Sequence, residues 1–445
     1  MAKILVLSRG VVARDMASTG IRAYHMARVL AEQLPEAQVT LAVPNEPDIP
    51  PPHPRVRLVR YESQWGSVRE MRDHDIIISR NFPPHVIPLF AHKLFVLDSF
   101  TALFIEWMEL SKRKAFRKGR KSWMAANQRY LNLQFTLADY IICSNERQRD
   151  VWVGALSALG LITPEVYDRD STLHDLVGVV PYGVPPGRPE HTKQVLKGVV
   201  PGIRETDKVL IWNGLLVEWF DAETVIQAMA EVSRARDDVK LFFLGTQHPE
   251  WVTGVEAPPV RRAIELSKQL GLYDRSVFFN VGWVPYREIG NYLSEADMGI
   301  CTGFDNLEAR YSFRTRFVDL IWAELPIVCT RGDVLADRIE REPLGVAATP
   351  EDAQALAAGI LRLAGDKDFY QHCQSNLRTV REEMRWEQAM APLVEFCRGG
   401  KEIAASKRQR LLPLLQHSAL YLLGKTLTRV AQRGEPGPFE TASLG

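Results

Sequence analysis

The stretch from Cys301 to Asp333, reading C-T-G-F-D-N-L-E-A-R-Y-S-F-R-T-R-F-V-D-L-I-W-A-E-L-P-I-V-C-T-R-G-D, constrains this chain more than any other. The apolar run ending in Met298-Gly299-Ile300 reads as a strand, and a polar loop with Asp305 and Glu308 follows it. An amphipathic helix then opens around Phe313, and a second strand, Leu325 to Val328, comes directly after. Strand, polar loop, helix and strand make a βαβ unit, which belongs in a mostly parallel sheet flanked by helices. In such sheets ligands sit at the carboxyl ends of the strands. The amino end of the helix offers unpaired N–H groups and the positive end of its dipole. Arg314 and Arg316, with Thr315 between them, add planar forks suited to phosphate oxygens. The pattern points to an anion pocket for a diphosphate. Cations at a helix amino end oppose the dipole by a few tenths of a kcal/mol unless an anion meets them. That weighs against the plainer reading of Arg310, Arg314 and Arg316 as a solvated helix face.

The same alternation runs through the rest of the chain. Lys3 to Ser8 is a continuous apolar run of the kind buried on both faces of a parallel sheet. A helix follows with Ile21, Tyr24, Ala27, Leu30 and Leu34 on one face, capped by Ser18 or Thr19, with Gly20 open to a ligand. Further strands are expected at Gln38–Val43, Asp75–Ser79, Leu94–Leu97 and Ala138–Cys143, the last followed by a helix that Ser144 caps. The stretch V-G-V-V-P-Y-G-V-P-P-G at 177–187 reads as a strand running into a turn-rich linker, which marks a domain boundary. The pattern then restarts at Lys208–Trp212, with strands at Val239–Gly245, Val277–Asn280 and Met298–Cys301 and helices between them. The reading is α/β, two doubly wound Rossmann-like domains in tandem, 1–187 and 188–385.

A length of 445 residues suits two or three domains, each with its own core. A net charge of +1 supplies no global field for a nucleic acid, so no nucleic-acid partner is expected. The five cysteines are scattered without C-x-x-C spacing, which argues for a reducing compartment and against a disulfide frame or a bound metal. Neither a signal peptide nor an apolar run of about 20 residues is visible, so a cytoplasmic protein is expected. Two segments stand apart. Residues 112–121, K-R-K-A-F-R-K-G-R-K, form a basic island. The tail 401–445 mixes basic residues with leucines as far as 433, interrupted by Pro413 and Gly424, and Gly434–Gly445 reads as disordered. The island and 401–433 suit an anionic membrane surface at the inner face, and the tail equally suits docking on the protein itself.

Several local patterns carry a resemblance. They are A-D-Y-I-I-C-S-N-E-R-Q-R-D at 138–150, V-P-Y-G-V-P at 180–185, G-W-V-P-Y-R-E-I at 282–289, A-E-L-P-I-V-C-T at 323–330, and Trp386 in M-R-W-E-Q-A-M-A-P-L. In this order and spacing the chain resembles the GT-B glycosyltransferases, and more narrowly their retaining family four, up to about residue 400. The resemblance implies two domains facing a cleft, the first on the acceptor side and the second on the nucleotide-sugar side. It also implies a crossover helix, 386–400, returning to the first domain. The implied activity is that of a hexosyltransferase moving a sugar from a nucleotide-diphosphate donor, with no other cofactor and no metal. The acceptor would be a glycan or a lipid-linked one, in cell-surface polysaccharide synthesis.

This chain departs from the family's two glutamates. Counting back from L-P-I-V, the second falls on Asp319, and the first on Tyr311, which is no carboxylate. Glu308, or else Asp305, could take the first place beside the sugar, and Asp319 would orient the ribose. The family's clamping Arg and Lys are replaced by N-G-L-L-V-E-W-F-D at 213–221, a loss Arg314 and Arg316 could make good. Its His-Asp pair appears as Leu97-Asp98, leaving Asp98 near the acceptor with Glu106 and Glu109. Trp283 and Val284 would line the base, and Gly20 with its helix would face the donor phosphates. Loss of the first carboxylate leaves an alternative, a non-catalytic nucleotide-sugar-binding or assembly protein.

Overall fold

Isoleucine, valine and leucine runs too short for helices fill the centre of two sheets in a computed structural model, which describes residues 2–83, 90, 92–112, 119–246 and 257–404. The described residues form two units, those up to 181 together with 389–404, and those within 182–388. The division falls inside the turn-rich stretch, at Pro181, earlier than the expected 187, and the chain rejoins the first unit at Ala389. Residues 113–118 of the basic island and 405–445 of the tail lie outside the described residues.

In the first unit the strands are β1 (Lys3–Leu7), β2 (Gln38–Val43), β3 (Val56–Arg60), β4 (Ile76–Ser79), β5 (Leu94–Asp98), β6 (Tyr140–Cys143) and β7 (Val177–Val179). They lie in the order β3-β2-β1-β4-β5-β6-β7, and every pairing is parallel. β1 and β4 therefore lie side by side while their connections run to opposite edges, which makes their carboxyl ends a topological switch point. The helix Ser18–Gln33 buries Met26, Ala27 and Leu30 against this sheet. Its cap position is Ala17, with no side-chain cap, so neither Ser18 nor Thr19 fills the expected role. The helix Glu146–Ala158 is capped by Asn145, whose side chain accepts from Gln148 N, rather than by Ser144. The helix Ala391–Ala404 returns to this unit, where Phe396 stacks on Tyr140 at 4.4 Å between ring centroids.

The second unit repeats the plan with β8 (Lys208–Trp212), β9 (Val239–Phe243), β10 (Val277–Phe279), β11 (Met298–Cys301), β12 (Ile327–Thr330) and β13 (Gly345–Ala348). Their order is β10-β9-β8-β11-β12-β13, again parallel, with the switch between β8 and β11. Two strands, β3 and β13, are absent from the sequence reading. Both are edge strands, where charged or small residues are tolerated, and V-R-L-V-R and G-V-A-A give no apolar run. The crossover helix implied at 386–400 is two, Trp386–Ala389 and Ala391–Ala404, with Lys367–Glu383 ahead of them. The first break is made by strand-like pairing, since Val184 N donates to Met384 O (2.8 Å) and Trp386 N to Val184 O (3.2 Å). Among the described residues no helix is long and apolar enough to cross a membrane.

Candidate functional site

The carboxyl edge of β8, β11 and β12 gathers most of the polar residues singled out in the sequence. The chain does not pass from loop to helix as expected at Phe313. A short helix, Leu307–Tyr311, comes first, capped by Asn306 Oδ1 accepting from Ala309 N at 2.9 Å. Ser312 and Arg314 are extended, and the main helix is Thr315–Trp322, with Arg314 at its cap position and no side-chain cap. This break turns Arg314 inward. Its Nη2 donates to Glu308 Oε2 at 3.0 Å and its Nε lies 3.3 Å from Asp333 Oδ2, all three side chains no more than 4% exposed. Asp333 uses its other oxygen to cap Val334–Arg341, accepting from Leu335 N and Ala336 N. Arg314 is thus met by a pair of the chain's own carboxylates. Burial draws the guanidinium down, but Glu308, Cys301 and Asp333 outweigh it and hold Arg314 above its usual value.

Arg316 has a different setting. Its guanidinium lies 3.6 Å from the Phe220 ring centroid and 4.9 Å from that of Trp212, and Nη2 donates to the Leu215 carbonyl. Its Nη1 is buried and has no acceptor among the described residues. Burial pushes Arg316 down to about 9, with the nearby Arg314 charge adding to the effect. Gly214, at φ 107°, packs against this group, and an added Cβ would stand 3.2 Å from Arg316 Nε. Asn213 Nδ2 donates to Asp319 Oδ2 at 3.0 Å and to the Arg316 carbonyl at 3.2 Å. Burial raises the Asp319 carboxyl to about 7, against the Asn213 hydrogen bond and the Arg316 charge. Nothing in the sequence pointed to Asn213, Phe220 or Asp333 as the groups that hold these side chains.

The other candidates lie apart from this cluster or are already engaged. Asp305 is exposed on the loop ahead of Leu307, and Thr315 opens the main helix half-buried. Trp283 and Val284 follow β10, Val284 buried and Trp283 half-buried, on the side of the sheet order away from β11. In the first unit Asp98 ends β5, and both its oxygens are held by the buried fork of Arg22: Nε reaches Oδ1 at 3.1 Å and Oδ2 at 2.9 Å, and Nη2 reaches Oδ1 at 2.9 Å. Arg22 also donates to the carbonyls of Val180 (2.9 Å) and Pro181 (3.0 Å). Both oxygens of Asp98 are thus engaged in a buried ion pair within the first unit. Glu109 is bound to Lys112 at 2.5 Å. A Cβ on Gly20 would stand 2.0 Å from the Val11 carbonyl, so this glycine serves a close approach within the chain.

Residues 198–380 match the family model described as glycosyl transferases group 1. No curated protein matches the chain in sequence. Among solved structures, the sucrose-phosphate synthase of Thermosynechococcus elongatus is 16% identical with a TM-score of 0.60, covering 91% of this chain and 100% of that one. WaaG, a glycosyltransferase involved in lipopolysaccharide biosynthesis, is 14% identical with a TM-score of 0.60, covering 90% and 100%. The Anabaena protein HepE, solved in complex with UDP and glucose, is 14% identical with a TM-score of 0.59, covering 89% and 100%. At such identities the likeness is one of fold. The chain therefore has the two Rossmann-like units of the GT-B architecture, and residues 198–380 of its second unit are similar to the glycosyl transferases group 1 model.

Proposed function

We propose that the chain is a retaining glycosyltransferase of the hexosyl type. It takes a sugar from a nucleotide-diphosphate donor held on the second unit and passes it to a glycan or lipid-linked acceptor in cell-surface polysaccharide synthesis. The observation that carries this reading is the Asn213–Asp319–Arg316 cluster. It sits at the switch point of the sheet within the matched stretch 198–380, where open α/β sheets take their ligands. HepE, the fold neighbour solved with UDP and glucose, supports the same donor class. In this mechanism Asp319 accepts from the ribose, and the uncapped helix end at Thr315 and Arg316 meet the charge that develops on the departing diphosphate. Glu308, aligned by Arg314, addresses the transferring sugar, with Asp305 at the mouth of the loop. Trp283 and Val284 line the base.

The test is release of nucleoside diphosphate from a panel of nucleotide sugars. Turnover should fall by roughly 10²–10³ in Arg316→Ala. An equally fast Arg316→Ala enzyme, or no binding of any nucleotide sugar, would remove the reading. One observation favours a second reading, a nucleotide-sugar-binding protein without transfer: Glu308 is committed to a buried guanidinium. Tight donor binding with no slow donor hydrolysis would select it. The basic segments 112–121 and 401–433 belong to the proposal as contacts to an anionic membrane at the cytoplasmic face. Retention of the full chain on anionic liposomes, and its release after truncation near 400, is the expected result.

A further inference from the structure

Three neighbouring strands of the first sheet end in polar residues that the donor site does not use. Arg9 follows β1, Arg80 and Asn81 follow β4, and Ser99, Phe100 and Thr101 follow β5. Arg9 Nη2 donates to the Asn81 carbonyl at 3.1 Å, which ties the exit of β1 to that of β4. Arg80 lies over the face of Phe100, 4.6 Å from its centroid, and donates through Nη2 to Thr101 Oγ1 at 3.2 Å. Arg22 lies over the same ring at 5.1 Å. Two buried donors here, Arg9 Nε and Ser99 Oγ, meet no acceptor among the described residues. Native proteins pair nearly all such groups. Asp98 is held by the fork of Arg22, and Glu106 accepts from Thr101 Oγ1 at 3.4 Å; both carboxylates also attract the Arg80 charge. Among the described residues here, the guanidiniums of Arg9, Arg22 and Arg80 outnumber these two carboxylates.

We propose that this edge is a subsite for a phosphate group carried by the acceptor. A carboxylate is satisfied by one planar fork, as Asp98 is by Arg22. Donors that arrive from separate strands, Arg9 from one, Arg80 from the next and Ser99 from a third, suit the tetrahedral oxygens of a phosphate instead. The strand ends place these donors where ligands of doubly wound sheets bind. The inference rests on the reading of the first unit as the acceptor side, and it names the chemical class that this side selects.

The test is calorimetric titration of the full chain, saturated with UDP, by inorganic phosphate. Arg80→Gln and Arg9→Gln should each weaken phosphate binding by roughly 10–100-fold, the loss of one charge-assisted hydrogen bond. Affinity for UDP should stay unchanged in both variants, and an unchanged thermal melt of the first unit reports that they fold. Displacement of phosphate by glucose 6-phosphate would mark a soluble phosphorylated acceptor. Displacement by vesicles of phosphatidylcholine carrying phosphatidic acid would mark a lipid one. A flat phosphate isotherm for the parent chain, equal phosphate binding in the parent and both variants, or displacement by neither probe would overturn the subsite. A chain that binds phosphate through Arg9 and Arg80 but never binds UDP would keep the subsite and overturn the donor reading.

Discussion

Asp319→Asn should make the second unit less sensitive to rising pH. Burial holds the Asp319 carboxyl up at about 7, and the hydrogen bond it accepts from Asn213 can be kept by the asparagine oxygen. In the unfolded chain the same carboxyl titrates near the usual value of 3.8. Between about pH 4 and pH 7 the folded chain therefore binds a proton that the unfolded chain has lost. Stability falls as pH rises through that window and is flat above it. About three units separate the two values, which corresponds to roughly 4 kcal/mol. This is a ceiling, because the half-buried side chain keeps some contact with water. The variant lacks the titrating group, so its stability relative to the parent should climb by about 1 kcal/mol per pH unit across the window. Urea unfolding at several pH values, read by pulse-labelled hydrogen exchange in β8, β11 and β12, isolates this unit from the other. Every other titrating group contributes equally to both proteins. Parallel pH curves for parent and variant, or a variant that loses ground as pH rises, would refute the account of a carboxyl held neutral by burial.

Arg314→Met should destabilise the second unit by about 3–5 kcal/mol, because Glu308 and Asp333 then stay buried without their cation. Adding Glu308→Gln and Asp333→Asn should recover much of that loss in melting temperature, whereas a simple packing defect would not respond. Arg22→Lys keeps the charge but loses the fork on Asp98, at a cost of about 0.5–1.5 kcal/mol for each hydrogen bond lost, measurable in the first unit's unfolding. Gly345→Ala would place a Cβ 1.8 Å from the Ile327 carbonyl, so β13 must shift away from β12, at about 1–3 kcal/mol by thermal melting.

The strand runs of the two sheets were legible because parallel strands buried on both faces leave unmistakable apolar words such as I-I-I-S and K-V-L-I-W. Their switch points then follow from the order of elements. The edge strands were hidden because an edge does not require an apolar run. The candidate site was legible in its membership more than in its wiring. Glu308, Arg314, Arg316 and Asp319 do gather at one edge of the second sheet, as the βαβ pattern implied. The sequence did not show that Ser312–Arg314 breaks the helix, or that Asp333, one helix further on, would reach back to Arg314. The ion pair of Asp98 was hidden for the same reason. Its partner Arg22 lies 76 residues away on a helix face whose other residues read as ordinary core. Contacts of that range leave no periodic trace in a single sequence.

The return of the chain to its first unit has a consequence for synthesis on the ribosome. The first unit is interrupted, residues 182–388 being a closed unit of their own inserted between Pro181 and Ala389. Arg22 reaches Val180 and Pro181 across separations of 158 and 159 residues, and Tyr140 waits for Phe396. The inserted unit can complete its sheet as soon as it emerges, while the unit that began first finishes last. A nascent chain stalled once residue 388 has emerged from the ribosome should therefore resist protease across the inserted segment before the leading segment gains its full protection.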